Sequence, residues 1–230
     1  MNLTFGICTS DPQWWEVPQI VQVIHSIHAL NVPAYEIIVA GSSVGDTLVS
    51  SDPILLDETV CSKITPSISN FSTRGWITRK KNLIARHAKY ETLVLLHDYF
   101  VFDPYWYQGM ASLGFDWDIC CCPQTLLDGR RHFTDWVADV GGPRPVYTMI
   151  DYTDWSYTKH QYISGGMFLV KKNFLLQNPF AEWMPPGTSE DVEWSRRVRD
   201  KAKIVCNPDA KVRHNKAHRD DGRRGFPYDQ

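Results

Sequence analysis

Three runs of this chain are apolar at almost every position: LTFGICT from Leu3, YEIIVAG from Tyr35 and TLVLLHDYF from Thr92. A strand with one wet face alternates apolar and polar side chains; a strand covered on both faces does not. Such runs call for layers on both sides of a sheet, and the intervening segments supply them. WWEVPQIVQVIHSIHAL carries Val17, Ile20, Val21, Ile24, Ile27 and Leu30 at helical spacing. Its Pro18 falls in the first turn, where a missing N–H costs little. GWITRKKNLIARHA reads as a basic helix and PILLDE as a shorter third strand. DPYWYQGMASLG reads as a helix with Asp103 as N-cap and Pro104 as first residue. This alternation predicts the α/β class, with a mostly parallel central sheet flanked by helices. Residues Asp116 to Gln161, rich in Gly, Pro, aromatic and charged residues, read as irregular.

A length of 230 residues suits one domain. No linker interrupts the pattern, so a single domain is expected over 1–214, followed by a polar, flexible tail over 215–230. The formal net charge of −2 argues against a nucleic-acid binder. No apolar run approaches the ~20 residues of a membrane helix, and MNLTFGICTS has no basic, long-apolar leader pattern. A cytoplasmic protein, soluble or peripheral at a membrane, is expected. Of six cysteines, Cys120, Cys121 and Cys122 are adjacent, which excludes a shared zinc with the usual spacers. Reduced, buried thiols are expected there and at Cys8 and Cys206. Nine tryptophans and ten tyrosines supply stacking faces for bases and sugars, or simply core.

Open α/β sheets bind ligands beyond the carboxyl ends of their strands. Three strands here end in polar residues, ICTS, IVAGSS and LLHDY, and no Gly-rich dinucleotide or P-loop run is present. A nucleotide across those ends is the expectation. Asp98 is a carboxylate at the end of the TLVLLH run. Thr188 and Ser189 are natural caps before Glu190 and Asp191, whose charge the helix N-terminus favours. Gly165 and Gly166 allow close backbone approach. Each has an ordinary alternative: a turn Asp, helix-end charge, a tight turn.

The ordered set YEIIVAGSSVGDT, TRKKNLIARHAKYETLVLLHDYFVFDP, SGGMFLVKK, SEDVEWSRRV and PDAKVRH resembles the landmarks of family-2-like glycosyltransferases of the GT-A fold, over most of Leu3 to His214. The resemblance implies a Rossmann-like nucleotide-binding half joined to an acceptor half. It also implies sugar transfer from a nucleotide-diphosphate donor to a hydroxyl of a saccharide, lipid-linked or protein acceptor, as in carbohydrate biosynthesis. In that likeness Asp191 is the general base of an inverting displacement and Glu190 positions the acceptor. Thr9, Asp57, Arg79, Lys81, Asn82, His97, Asp98 and Tyr99 contact the donor. Gly165, Gly166 and Trp155 face the sugar, with Trp136 and Tyr152 as further stacking candidates. A divalent metal, Mn²⁺ or Mg²⁺, is implied on Asp98 and His214, with His218 as a substitute. The chain departs from the family where His97-Asp98-Tyr99 replaces Asp-x-Asp, and where Gly41 and Ser42 replace an acid after the second strand. A retaining transferase on the same fold and a non-catalytic sugar- or nucleotide-binding module are the alternatives.

Overall fold

The computed structural model describes residues 1–9, 18–41, 53–57, 77–142, 145–184 and 188–216, with the backbone alone for Pro18, Gly41 and 53–57. The first part of the chain forms β1 (Leu3–Cys8), α1 (Pro18–His28), β2 (Tyr35–Gly41), β3 (Pro53–Asp57), α2 (Ile77–His87), β4 (Thr92–His97), β5 (Phe100–Phe102) and α3 (Trp106–Leu113). There follow β6 (Ile119–Cys121), β7 (Gln124–Thr125), β8 (Val137–Asp139), β9 (Tyr147–Met149) and β10 (Gln161–Tyr162). The last part forms β11 (Met167–Lys171), α4 (Lys172–Gln177), α5 (Glu190–Val198), β12 (Ile204–Cys206) and β13 (Val212–His214).

Seven strands make the central sheet, in the order β12-β6-β11-β4-β1-β2-β3. Every pairing is parallel except those of β11, which runs antiparallel to both β4 and β6. The sheet is thus mixed, and the mostly parallel arrangement read from the apolar runs holds for all strands but one. Both faces are covered. Phe5, Ile7, Val94, Leu96, Met167 and Leu169 pack with Ile20, Val23 and Ile27 of α1. Leu93, Leu95, Phe168 and Val170 pack with Leu83 and Ile84 of α2 and Trp194 of α5. Each fully buried aliphatic side chain contributes roughly 1.5–3 kcal/mol. Gly6 allows α2 to lie close, because a Cβ there would stand 2.5 Å from Ile84 Cγ2.

The reversed strand sets the site. β11 begins where β4 ends, with Met167 opposite Leu96. The turn entering it, Ser164-Gly165-Gly166, therefore lies beside His97 and Asp98, and the His97 N–H donates to the Gly166 carbonyl at 2.9 Å.

Two expectations are corrected. The stretch from Asp116 to Gln161 holds strands of two or three residues, in small sheets ordered β10-β8-β9 and β5-β13-β7. Such strands are too short to show a period in sequence. Helix α3 starts at Trp106, not Pro104. Asp103 closes the preceding turn, its Oδ1 accepting from Tyr105 N at 2.9 Å. The five described cysteines are buried, and none is in a disulfide. Among the described residues no helix is long and apolar enough to cross a membrane. Asn215 and Lys216 pack against the domain, Asn215 N–H donating to the Tyr99 carbonyl at 2.7 Å. The rest of the expected tail, His218 included, lies outside the described residues.

Candidate active site

Parallel strands β1 and β4 end side by side, with Cys8 opposite His97. That register brings Thr9 to Asp98, and the Thr9 hydroxyl donates to Asp98 Oδ2 at 2.7 Å. Burial pushes the Asp98 carboxyl up, and the Thr9 bond and the nearby charges of Lys216 and Lys80 offset part of the rise. Burial takes His97 down to about 3, helped by the charges of Lys81 and Lys80, so its imidazole is neutral at physiological pH. His97 Nδ1 and the Tyr99 hydroxyl are 3.0 Å apart. Burial, with the Asp98 charge, raises the Tyr99 phenol to about 12.

Helix α2 crosses above these strand ends. Lys80 and Lys81 are both 1% exposed. Neighbours on a helix point about 100° apart, and their destinations differ accordingly. Lys80 Nζ donates to the Thr9 carbonyl at 2.7 Å. Lys81 Nζ lies over the Phe180 ring at 4.7 Å and makes no hydrogen bond. The Nε2 of His97 is also buried without a partner. Asn82 has another occupation: its amide donates to the Phe180 carbonyl and to Glu182, and its Oδ1 accepts from Phe180 N. It braces the segment that carries Phe180. Arg79 is buried on the same helix. Asp57 ends β3, opposite Gly41, and its side chain lies outside the described residues.

Opposite α2, helix α5 starts at Glu190. Ser189 holds the N-cap place in a left-handed conformation, φ 61°, without a side-chain cap bond. Asp191 is pinned on three sides. Its Oδ2 accepts from the Tyr162 hydroxyl and from Gly165 N at 3.3 Å, and its Oδ1 from Val192 N at 2.9 Å. Glu190 is half-buried beside it and adds its charge to the environment of Tyr162. Gly165 is required for closeness. A Cβ there would stand 2.9 Å from Asp191 Cβ, 3.1 Å from its Oδ2 and 3.2 Å from Lys81 Nζ. Gly166 faces Phe100 and Tyr99 in the same way, at 3.2 Å and 3.7 Å.

His214 ends β13 as expected and is buried. Its ring stacks on His132 at 4.4 Å and meets Phe100 edge-on at 4.4 Å, and its Nε2 lies 3.4 Å from Gln124 Oε1. A hard divalent ion needs several oxygen ligands. Asp98 offers one carboxylate, already partnered by Thr9. Among the described residues no three His, Cys, Asp or Glu side chains gather as a metal site. The described residues do not fit a protein-held Mn²⁺ or Mg²⁺.

Of the residues expected to face a sugar, Trp155 is 41% exposed and its Nε1 donates to the Tyr152 carbonyl at 3.1 Å. Trp136 is fully buried, its indole N–H shared between the carbonyls of Asp151 and Asp154, so it is core rather than a stacking surface. Tyr152 donates to Asp135 at 2.5 Å. Sequence reasoning missed Tyr162, His132 and Gln124 as neighbours of the site. Only strand pairing brings them there, and no local signal marks them.

No protein-family model matches the sequence, and no curated protein matches it. Solved structures do. Residues 1–349 of S. aureus TarS superimpose with a TM-score of 0.62 at 11% identity, over 94% of this chain and 60% of that one. The same TarS fragment crystallised with UDP-GlcNAc gives 0.61 at 12% identity, over 98% and 62%. GalNAc-T7, crystallised with UDP, GalNAc and Mn²⁺, gives 0.61 at 14% identity, over 93% and 43%. This chain thus spans less than two thirds of the length of each. The likeness is one of fold: an α/β domain of the GT-A type, with helices on both faces of a mixed sheet.

Proposed function

We propose that this chain is a glycosyltransferase on the family-2-like plan, moving a sugar from a nucleotide-diphosphate donor to an acceptor hydroxyl with inversion. Residues 1–214 serve as the one catalytic domain. The observation that carries the reading is the presentation of Asp191. Its carboxylate stands at the positive end of α5, held by Tyr162, Gly165 and Val192, against a glycine turn that lets it come close to Lys81 and the end of β4. Such a group can take a proton from an oriented hydroxyl. In the step proposed, the acceptor oxygen bonds to the anomeric carbon and its proton passes to Asp191. The bond from that carbon to the diphosphate breaks, and the electron pair leaves with the phosphate oxygen. UDP-GlcNAc is the first donor to try, because a fold neighbour was crystallised with it.

Asp191→Asn should slow transfer by roughly 10²–10⁴-fold while donor affinity stays nearly intact. The check is single-turnover transfer beside calorimetric donor binding. Turnover within a few-fold of the parent would remove Asp191 from the role. A binding module without transfer is the second reading, favoured by His97-Asp98-Tyr99 in place of paired acids. Tight donor binding with no hydrolysis or transfer by the parent would select it.

A further inference from the structure

A buried ammonium without a hydrogen bond is costly unless something pairs with it. Lys81 is in that position. Its head lies over the rings of Phe180 at 4.7 Å and Phe168 at 5.6 Å, which attract a cation. The rings leave its three N–H donors unmet among the described residues. The place suggests what would meet them. Lys81 Nζ and Asp191 Oδ2 both lie within 3.2 Å of the point where a Gly165 Cβ would stand, yet the two are not joined as an ion pair. The ammonium therefore lies enclosed beside the glycine turn, next to Asp191 and near enough to His97 for its charge to act there. Two more lysines bear on the same strand ends. Lys80 is fixed to the Thr9 carbonyl, and Lys216 lies over Tyr99 at 5.5 Å. The carboxylate complement is sparse, with one acid at the end of β4 and no three-ligand metal cluster among the described residues.

We propose that Lys81, supported by Lys80 and Lys216, supplies the positive charge for the leaving diphosphate, so that the transfer runs without a divalent metal. The inference rests on the glycosyltransferase reading above. The negative charge that develops on the departing phosphate oxygen is met by a fixed cation in a site of low polarity, where such an interaction is strong. No metal has to be recruited, and a single carboxylate at Asp98 is then no defect.

The test uses Lys81→Met, which keeps the shape and removes the charge, and Lys81→Arg, which keeps the charge. UDP and inorganic pyrophosphate are titrated by calorimetry into parent and variants, in EDTA and in Mn²⁺, and thermal unfolding is followed without ligand. The parent should bind pyrophosphate or UDP equally well in EDTA and Mn²⁺, within about twofold. Lys81→Met should lose at least about tenfold in that affinity, and Lys81→Arg should lose less. Relief of the unpaired charge should raise the Lys81→Met melting temperature by about 2–4 °C. Several results would overturn the proposal: binding that needs Mn²⁺, undiminished binding by Lys81→Met, or a lowered melting temperature, which would make Lys81 a structural cation. Failure of the parent to bind UDP or pyrophosphate in either condition would instead bring down the glycosyltransferase reading itself. Transfer that is lost in Lys81→Met while pyrophosphate affinity is unchanged would assign Lys81 to Asp191 rather than to the diphosphate.

Discussion

The two sides of the glycine turn treat ionisable groups in opposite ways, although each holds an unmet buried polar atom, Gln161 Oε1 on one of them. On the wall built from β1, β4 and α2, polar atoms are left over: Lys81 Nζ and His97 Nε2 are buried and make no hydrogen bond. On the wall built from residues 124–162, acids are saturated. Asp135, fully buried, accepts from Gln124 N, Trp136 N, Arg131 and Tyr152. Asp139 accepts from Arg196 and from the N–H groups of Gly141 and Val146. Buried polar groups in native proteins are nearly always paired, so the difference sorts scaffold from site. The saturated acids hold short strands that have too little apolar area to hold themselves. Among the described residues the ammonium of Lys81 has no hydrogen-bond partner.

Breaking the scaffold side should have the largest effect. Asp135→Ala removes four bonds and leaves Arg131 with only the Ile150 and Trp136 carbonyls, and should cost about 3–5 kcal/mol in urea unfolding. A cost below ~1 kcal/mol would mean that the 124–162 wall is held by something other than its acids. The Gly165→Ala change sharpens the comparison at the seam between the walls. Its Cβ must displace the Asp191 side chain, and overpacking of this kind costs roughly 1–3 kcal/mol. Transfer should fall by roughly tenfold to a hundredfold, with a smaller change in melting temperature than Asp135→Ala produces. Kinetics and unfolding on the same preparations decide whether the glycine serves closeness or only the turn.

The smallest expected effect concerns Asp139. Burial pushes its carboxyl up, but the Arg196 hydrogen bond and the two backbone N–H groups outweigh this and leave it below the usual range. A depressed folded value means stability that is fully present above the unfolded value near ~3.9 and lost as pH falls through the folded one. Parent and Asp139→Asn should therefore differ by about 1–2 kcal/mol at neutral pH, with the gap closing only below about pH 4. A gap independent of pH down to about pH 2 would assign the effect to packing instead of charge.

The wall of β1, β4 and α2 was far more legible in sequence than the wall of residues 124–162. Long apolar runs such as LTFGIC and TLVLLH carry enough residues to declare a strand covered on both faces, and Pro18 opens α1 as expected. Two- and three-residue strands such as β7 and β8 carry no period. The acid at the helix start, Asp191, was readable because a cap, a helix and a glycine turn are local signals. Tyr162, which donates to it, was not, since 29 residues separate them.

Sequence by itself determined the layered α/β plan, the strand ends that face the cleft and the identity of the acid there, because each follows from local periodicity and helix-end chemistry. The tertiary structure alone decided what the polar side chains touch. Lys80, Lys81 and Asn82 are consecutive, yet one holds the Thr9 carbonyl, one lies over the Phe180 ring beside the glycine turn and one braces Phe180. His214 stands at the strand end where a ligand was expected but packs between His132 and Phe100. The antiparallel register of β11 against β4, Met167 opposite Leu96, carries Gly165 and Gly166 to His97. Such pairings depend on residues dozens of positions apart, and a side chain's partner is chosen by the strand that arrives beside it rather than by its neighbours in sequence.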